Sequence, residues 1–228
     1  MHFILHDVTI PLDKIYVSDV ILNYIISGQY EAKEARIAHS LLKKGDRVLE
    51  LGAGLGIITA VMAKSPSVFI WAFDANPDIV ELGRVVLEEN GINNVEYSQG
   101  LLSAGNSKDH AFYVRRDFWM SSMLEEQGPF DKVVILQSSD IDCFIENKSI
   151  NVVVLDIEGA ERELLSNASL KGVDRVFLET HDHLYGLAGI RDIFLAMEAR
   201  GFVYDPRSSS GPCILFRKDD GVIMPYAD

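Results

Sequence analysis

Two periodicities share the chain. Short apolar runs rich in β-branched residues, at residues 47–51, 68–74, 94–98, 132–136, 152–155 and 175–178, read as strands. The unbroken run Val152-Val153-Val154-Leu155 has the character of a strand buried on both faces. Between these runs, residues 19–26, 31–44, 57–63, 78–89, 141–146 and 190–200 carry apolar positions at helical spacing. Local signals mark the ends: Ser18 or Asp19 caps the first helix, Gly45 stops the second, and Asn76-Pro77 opens the fourth, which Asn90-Gly91 closes. Residues 3–12 read as an extended piece or hairpin, 111–115 as an added strand, and 202–204 with 213–217 as a hairpin closing the chain. Strands alternating with helices predict an α/β fold: three layers, a doubly wound and mostly parallel sheet, and an antiparallel edge hairpin. One domain over residues 1–228 is expected, with 1–44 as a strand and helical cover, 45–217 as the core and 218–228 as a tail.

The richest chemistry follows the first buried strand. In Glu50-Leu51-Gly52-Ala53-Gly54-Leu55-Gly56 the glycines fall on alternate positions between a strand and a helix. Such a loop turns tightly and lets a flat, polar ligand lie against the main chain, which makes Gly52, Ala53, Gly54 and Gly56 candidate contacts. A dinucleotide fingerprint would need a glycine where Ile57 stands, and Glu50 at the strand's end repels a pyrophosphate but suits a cationic amino-acid group. Both features favour S-adenosylmethionine (SAM), with its ammonium and sulfonium. The second strand ends in Asp74, whose carboxylate can accept from both ribose hydroxyls, with Ala75 beside it. Gly100-Leu101, after the third strand, suits an adenine held by backbone groups. Ligands of open parallel sheets bind outside the carboxyl ends of the strands, so Glu50, Asp74, Asp156, Glu179 and His181 are expected to face one crevice. Tyr30 and Glu31 lie at a helix junction, either touching the methionine part of the cofactor or forming an acidic first turn. Residues 119–123, Trp-Met-Ser-Ser-Met, either line a substrate pocket or fill the core.

Composition narrows the partners. A net charge of −13 argues against nucleic acid and anionic membranes, leaving Lys43-Lys44 and Arg115-Arg116 as solvated faces or helix ends. Two cysteines, Cys143 and Cys213, make neither a disulfide framework nor a zinc spacing. The first residues lack the basic region of an export signal, and no apolar run approaches the roughly twenty residues of a membrane span. A cytoplasmic protein with a small-molecule partner is expected, and the acidic surface neither requires nor forbids a homodimer.

These motifs resemble a known family. Glu50 to Gly56 resembles motif I of the class I SAM-dependent methyltransferases, and Asp156-Ile157-Glu158-Gly159-Ala160-Glu161 resembles the D-x-E-G-A-E signature of the FkbM-type members. Phe73-Asp74-Ala75-Asn76-Pro77 is similar to that family's F-E-P-N-P segment, and Glu179-Thr180-His181 to its E-x-H segment. The resemblance covers roughly residues 31–216 and implies a Rossmann-like methyltransferase fold with SAM as cofactor. It also implies transfer mostly to oxygen, on sugar, polyketide or carboxylate acceptors. Glu50 and Gly54 depart from the frequent D-V-G-A-N-x-G, and Asp74 stands where Glu is commoner; the charges are kept. Methylation of nitrogen is the alternative, ahead of a nicotinamide oxidoreductase or a silent cofactor-binding protein.

For catalysis, His181 is the expected general base, because an unperturbed imidazole titrates near operating pH, with Glu179 orienting it. Asp156 and Glu158 admit three roles: contact with the cofactor's amino-acid end or the substrate, capping of the helix that begins near Gly159, or, for Asp156 with Glu179, holding a hard cation such as magnesium. A metal is not the expected case.

Overall fold

The computed structural model describes residues 2–223. β1 (His2–Leu5) and β2 (Val8–Pro11) form a hairpin, followed by α1 (Asp19–Ile26) and α2 (Ala32–Leu41). Next come β3 (Arg47–Leu51), α3 (Ile57–Ala63), β4 (Phe69–Asp74), α4 (Pro77–Glu89) and β5 (Val95–Gln99). An excursion then holds β6 (Leu102–Ser103), β7 (Asp109–Val114), two single 3₁₀ turns at Phe118–Met120 and Glu125–Gln127, β8 (Lys132–Gln137) and β9 (Ser139–Asp140). The chain returns through α5 (Ile141–Lys148), β10 (Val152–Leu155), α6 (Glu161–Asn167), β11 (Arg175–Glu179), α7 (Asp182–Ala199), β12 (Phe202–Tyr204) and β13 (Cys213–Lys218).

Seven strands make the central sheet in the order β5–β4–β3–β10–β11–β13–β12. Only β13 runs against its neighbours, so the expected doubly wound, mostly parallel sheet ends in the expected antiparallel hairpin. Successive residues of the buried strands feed opposite faces, as a period of two requires. Val48, Ile70, Val152, Val154 and Phe177 join a core with α1 to α4 and the β1–β2 hairpin. Leu49, Trp71, Val153, Leu155, Val176 and Leu178 join a second core with α5, α6 and α7. Two apolar faces with helices on each make the third layer unavoidable.

At the amino ends of the strands the sheet is locked by an ion pair. Arg175 meets both oxygens of Asp46 at 2.8 Å, and the two side chains are 6% and 4% exposed. Asn151 donates to the same carboxylate, and Arg175 donates also to the Leu41 carbonyl, so the buried charges are fully hydrogen-bonded. This end fixes the scaffold and leaves the other end free for ligands.

Three expectations need correction. α2 stops at Leu41, because Leu42 is already extended, rather than running to residue 44. α7 begins at Asp182 and is kinked at Gly186 (φ 64°, ψ 177°), so the helical spacing visible from residue 190 is its second half only. β8 does not enter the central sheet; it pairs with β7 as a separate antiparallel ribbon beside the cavity. Among the described residues no helix is long and apolar enough to cross a membrane. Part of the expected tail lies beyond the described residues.

Candidate active site

The order of strands reverses between β3 and β10, and the crevice opens there, at their carboxyl ends. A cavity of about 750 Å³ occupies it. Gly52, the first residue after β3, has φ +81°, and a Cβ placed on it would lie 1.7 Å from the carbonyl oxygen of Asp156, the first residue after β10. Only glycine lets the two strand ends approach this closely. The amides of Gly52 and Ala53 both donate to the Phe73 carbonyl of β4, which pins the loop to the next strand.

Asp74 ends β4 with both oxygens already accepting backbone N–H groups, from Asn76 at 2.8 Å and from Gly54 at 3.0 Å. A carboxylate has about four lone-pair sites, so Asp74 keeps acceptor capacity for a ligand hydroxyl. Burial pushes Asp74 up to about 6, and the backbone donors limit the rise. Ala75 lines the cavity beside Asp74, and so do Gly100 and Leu101, the turn expected to hold an adenine. Glu50 departs from its expected place. It is 3% exposed, accepts the Thr59 hydroxyl at 2.7 Å, and faces a small annex shared with Ala53, Glu31, Glu34 and Glu179. Burial raises its carboxyl to about 8. Gly56 lies away from the cavity, heading α3 with φ +72°.

On the other side of Gly52 stand four carboxylates and an imidazole. His181, 5% exposed, has Nδ1 3.1 Å from Glu161 and Nε2 3.5 Å from both Asp156 and Glu158. Burial alone would lower its pKa, but the hydrogen bond and charge of Glu161, with Asp156 and Glu158, outweigh that and raise it to about 10. At neutral pH this ring is an imidazolium with no lone pair in the ligand-free protein, which disfavours His181 as the resting general base, while ligand atoms of Asp156, Glu179 and His181 lie within 4.8 Å of one another. Glu179 does not orient the ring; Glu161 does. The Glu161 carboxylate is 0% exposed and also accepts the amides of Ile157 and Gly159, each at 3.0 Å. Neither Asp156 nor Glu158 caps α6, whose first turn has no side-chain cap. Both face the cavity instead. Burial and the neighbouring Glu179 and Glu158 hold Asp156 well above the carboxylate range, and burial raises Glu158 to about 7. Glu158 has φ +49°, a conformation unusual for its type and common at functional sites. The one sequence signal for Glu161 was its place as the last letter of D-x-E-G-A-E.

The excursion supplies the outer wall, with Phe118, Trp119, Met120, Ser121 and Met123 lining the cavity. Arg115 is not a solvated basic residue but 5% exposed. Its guanidinium donates to the carbonyls of Tyr113, Met120, Leu124, Glu125 and Gly128, which ties both 3₁₀ turns into one unit. Nothing in the sequence distinguishes this arginine from its exposed neighbour Arg116.

The raised groups have a consequence for stability. Asp74, Glu158, Glu50 and His181 bind protons more tightly folded than unfolded, so between about pH 5 and 9 stability falls as pH rises. The part due to His181 is complete below its unfolded value near 6.5 and is lost through about 10. The carboxyls lose theirs from their ordinary range up to about 6, 7 and 8. Every tenfold gain in proton affinity on folding is worth about 1.4 kcal/mol, so the ligand-free protein is expected to melt more than ~5 °C lower at pH 9 than at pH 5.5 by calorimetry.

Comparison with known proteins agrees with this geometry. A family model described as the methyltransferase FkbM domain matches residues 52–204, well over half of the chain. A ribosomal protein L11 methyltransferase from Thermotoga neapolitana is 28% identical over 58% of this chain and 45% of its own. A protein-L-isoaspartate O-methyltransferase from Fervidobacterium nodosum is 32% identical over 41% of this chain and 39% of its own. The chain thus spans less than half the length of these curated relatives. In structure, a precorrin-6y C5,15-methyltransferase from Geobacter metallireducens superposes with a TM-score of 0.51 at 13% identity, covering 85% of this chain and 79% of that one, which shows a shared fold. With the family model, the glycine loop, Asp74 and the Asp156 motif in agreement, the chain belongs to the FkbM family of SAM-dependent methyltransferases.

Proposed function

We propose that this chain transfers the methyl group of SAM to a hydroxyl oxygen of a small-molecule acceptor, with Glu158 receiving the proton. The observation that carries this reading is one cavity of about 750 Å³ lined both by the Gly52–Asp74 cradle and by Asp156, Glu158 and Glu179. That volume lies within the roughly 300–1,000 Å³ of small-molecule sites. When bound, SAM supplies a methyl group already activated on sulfur. The protein's share is to align the acceptor oxygen and take up its proton, and alignment alone supplies roughly 7–11 kcal/mol in favourable cases. A carboxyl near 7 is matched to that proton transfer at neutral pH, whereas His181, as imidazolium, holds Asp156 and Glu158 in place by charge.

The lining favours neutral or cationic acceptors. Glu31, Glu34, Asp156, Glu158 and Glu179 offer a carboxylate or phosphate no counter-charge, ionised or not, which with the net charge of −13 supports the absence of nucleic acid among the partners. The same lining favours nitrogen as the second reading, since an amine approaches carboxylates readily. Two unpaired thiols, Cys143 and Cys213, suit a reducing cytoplasmic setting.

The test uses SAM carrying a ¹³C-methyl group and a panel of hydroxyl and amine compounds, with products read by carbon NMR. The expected product signal is a methoxyl carbon, formed with a kcat/KM that rises through an apparent pKa near 7 and falls at least about a hundredfold in Glu158→Gln. An N-methyl signal would transfer the assignment to nitrogen. A Glu158→Gln variant with unchanged turnover would remove Glu158 from the mechanism.

A further inference from the structure

Glu31 is the least explained acidic group in the cavity: burial and the nearby Glu34 hold its carboxyl well above the ordinary range, and a cation beside it would favour its ionised form. It sits between α1 and α2 with φ 49° and ψ 31°, a left-handed conformation that costs a non-glycine residue roughly 1–2 kcal/mol. That backbone turns its carboxylate into the cavity, with Oε1 3.9 Å from where a Cβ on Gly54 would stand. The Tyr30 hydroxyl hydrogen-bonds the carboxylate, yet Oε2 is buried and meets no hydrogen-bond donor among the described residues. A buried, unpaired carboxylate oxygen is costly and calls for a donor.

The surroundings specify the donor's charge. Tyr30 and Trp119 stack with centroids 6.1 Å apart, Tyr24 meets Trp119 edge-on at 5.2 Å, and all three line the cavity beside Glu31. Aromatic faces attract cations, and aromatic rings next to a carboxylate recognise ammonium groups in particular. Of the cavity's positive groups, His181 is engaged by Glu161 and Lys33 acts by charge on Glu179, and the acidic groups of the lining outnumber them, so an anionic guest finds little counter-charge. We infer that the methyl acceptor carries a protonated amine, held by the Glu31 carboxylate against the rings of Tyr24, Tyr30 and Trp119. This inference rests on the reading of the cavity as a methyl-transfer site. It adds a substrate class, an amine-bearing hydroxyl compound, and a residue that selects it.

The experiment uses the full chain loaded with S-adenosylhomocysteine, titrated calorimetrically with three phenols of similar shape. These are tyramine (ammonium), 4-ethylphenol (neutral) and 3-(4-hydroxyphenyl)propionate (anionic). Tyramine is expected to bind at least about tenfold more tightly than 4-ethylphenol, with the propionate weakest. Glu31→Gln keeps the shape and should reduce the tyramine advantage below about threefold, while S-adenosylhomocysteine affinity stays within about twofold. The inference is overturned if the propionate binds as well as tyramine, if none of the three binds, or if Glu31→Gln keeps the preference. It is overturned as well if Glu31→Gln weakens S-adenosylhomocysteine about tenfold, for Glu31 then serves the cofactor's own ammonium. Failure of S-adenosylhomocysteine to bind the wild type overturns the methyl-transfer reading together with this one.

Discussion

Gly52→Ala is expected to abolish SAM binding and to lower the melting temperature by roughly 5–10 °C. The new methyl group would lie 1.7 Å from the Asp156 carbonyl oxygen and 2.6 Å from its carbon. Those are backbone atoms of the adjoining strand end, so no rotamer change relieves the contact and β3 must part from β10. The position also has φ +81°, which adds about 1–2 kcal/mol of strain to the roughly 1–3 kcal/mol typical of overpacking. Parting the strands breaks the Gly52 and Ala53 hydrogen bonds to Phe73 and shifts Asp156 away from the cavity. Gly54→Ala is the matched control. A Cβ there meets nothing closer than 3.7 Å, so it should keep the fold and weaken SAM through local strain and crowding. Gly52→Ala binding SAM like wild type would mean that the ligand does not lie on this loop.

Glu161→Gln is expected to cost about 3–5 kcal/mol, because it leaves a buried imidazolium without its nearest counter-charge. The carboxylate it replaces is 0% exposed and accepts three N–H donors, from Ile157, Gly159 and His181. A glutamine can serve only some of them, since its amide nitrogen must point at a donor. Two readouts separate this from a general loss of packing. The His181 ring, followed by NMR, should titrate well below the value of about 10 set by its present neighbours. Turnover should fall as Asp156 and Glu158 lose the positive charge that fixes them, and the apparent pKa of kcat/KM should rise above 7, since the loss of the His181 charge beside Glu158 outweighs the loss of repulsion from Glu161. A wild-type His181 titrating near its ordinary 6.5 would contradict the arrangement and restore it as a candidate base.

Most of the scaffold could be read from local rules. Four consecutive apolar residues at Val152–Leu155 required burial on both faces, and Asn76-Pro77 required a helix start; both occur. Gly52, Gly54, Asp74, Gly100, Leu101, Asp156, Glu158, Glu179 and His181 do line one cavity, since each ends or follows a parallel strand and the sheet brings those ends together. What escaped was every property that depends on who meets whom across the sequence. Glu161 is twenty positions from His181, and no periodicity says that one neutralises the other. The protonation state of that ring is set by three carboxylates and burial, which a reference pKa cannot supply. Arg115 looks like any surface arginine until five carbonyls of an irregular loop converge on it, and loops carry no repeat from which to read such convergence. Glu50 accepts the hydroxyl of Thr59, one helical stretch later, and lines the annex beside the main cavity, a pairing that spacing alone does not reveal.

The central claim is that the glycine loop and Asp74 hold SAM. Calorimetric titration with SAM and with S-adenosylhomocysteine, on wild type and Asp74→Ala, tests it most directly, with melting curves as the check that the variant folds. The account predicts micromolar binding of both ligands to the wild type and at least about tenfold weakening by the substitution, or about 1.4 kcal/mol, from loss of the ribose acceptor and of the Gly54 tether. Equal affinities in a folded variant, or no binding to the wild type, would contradict it.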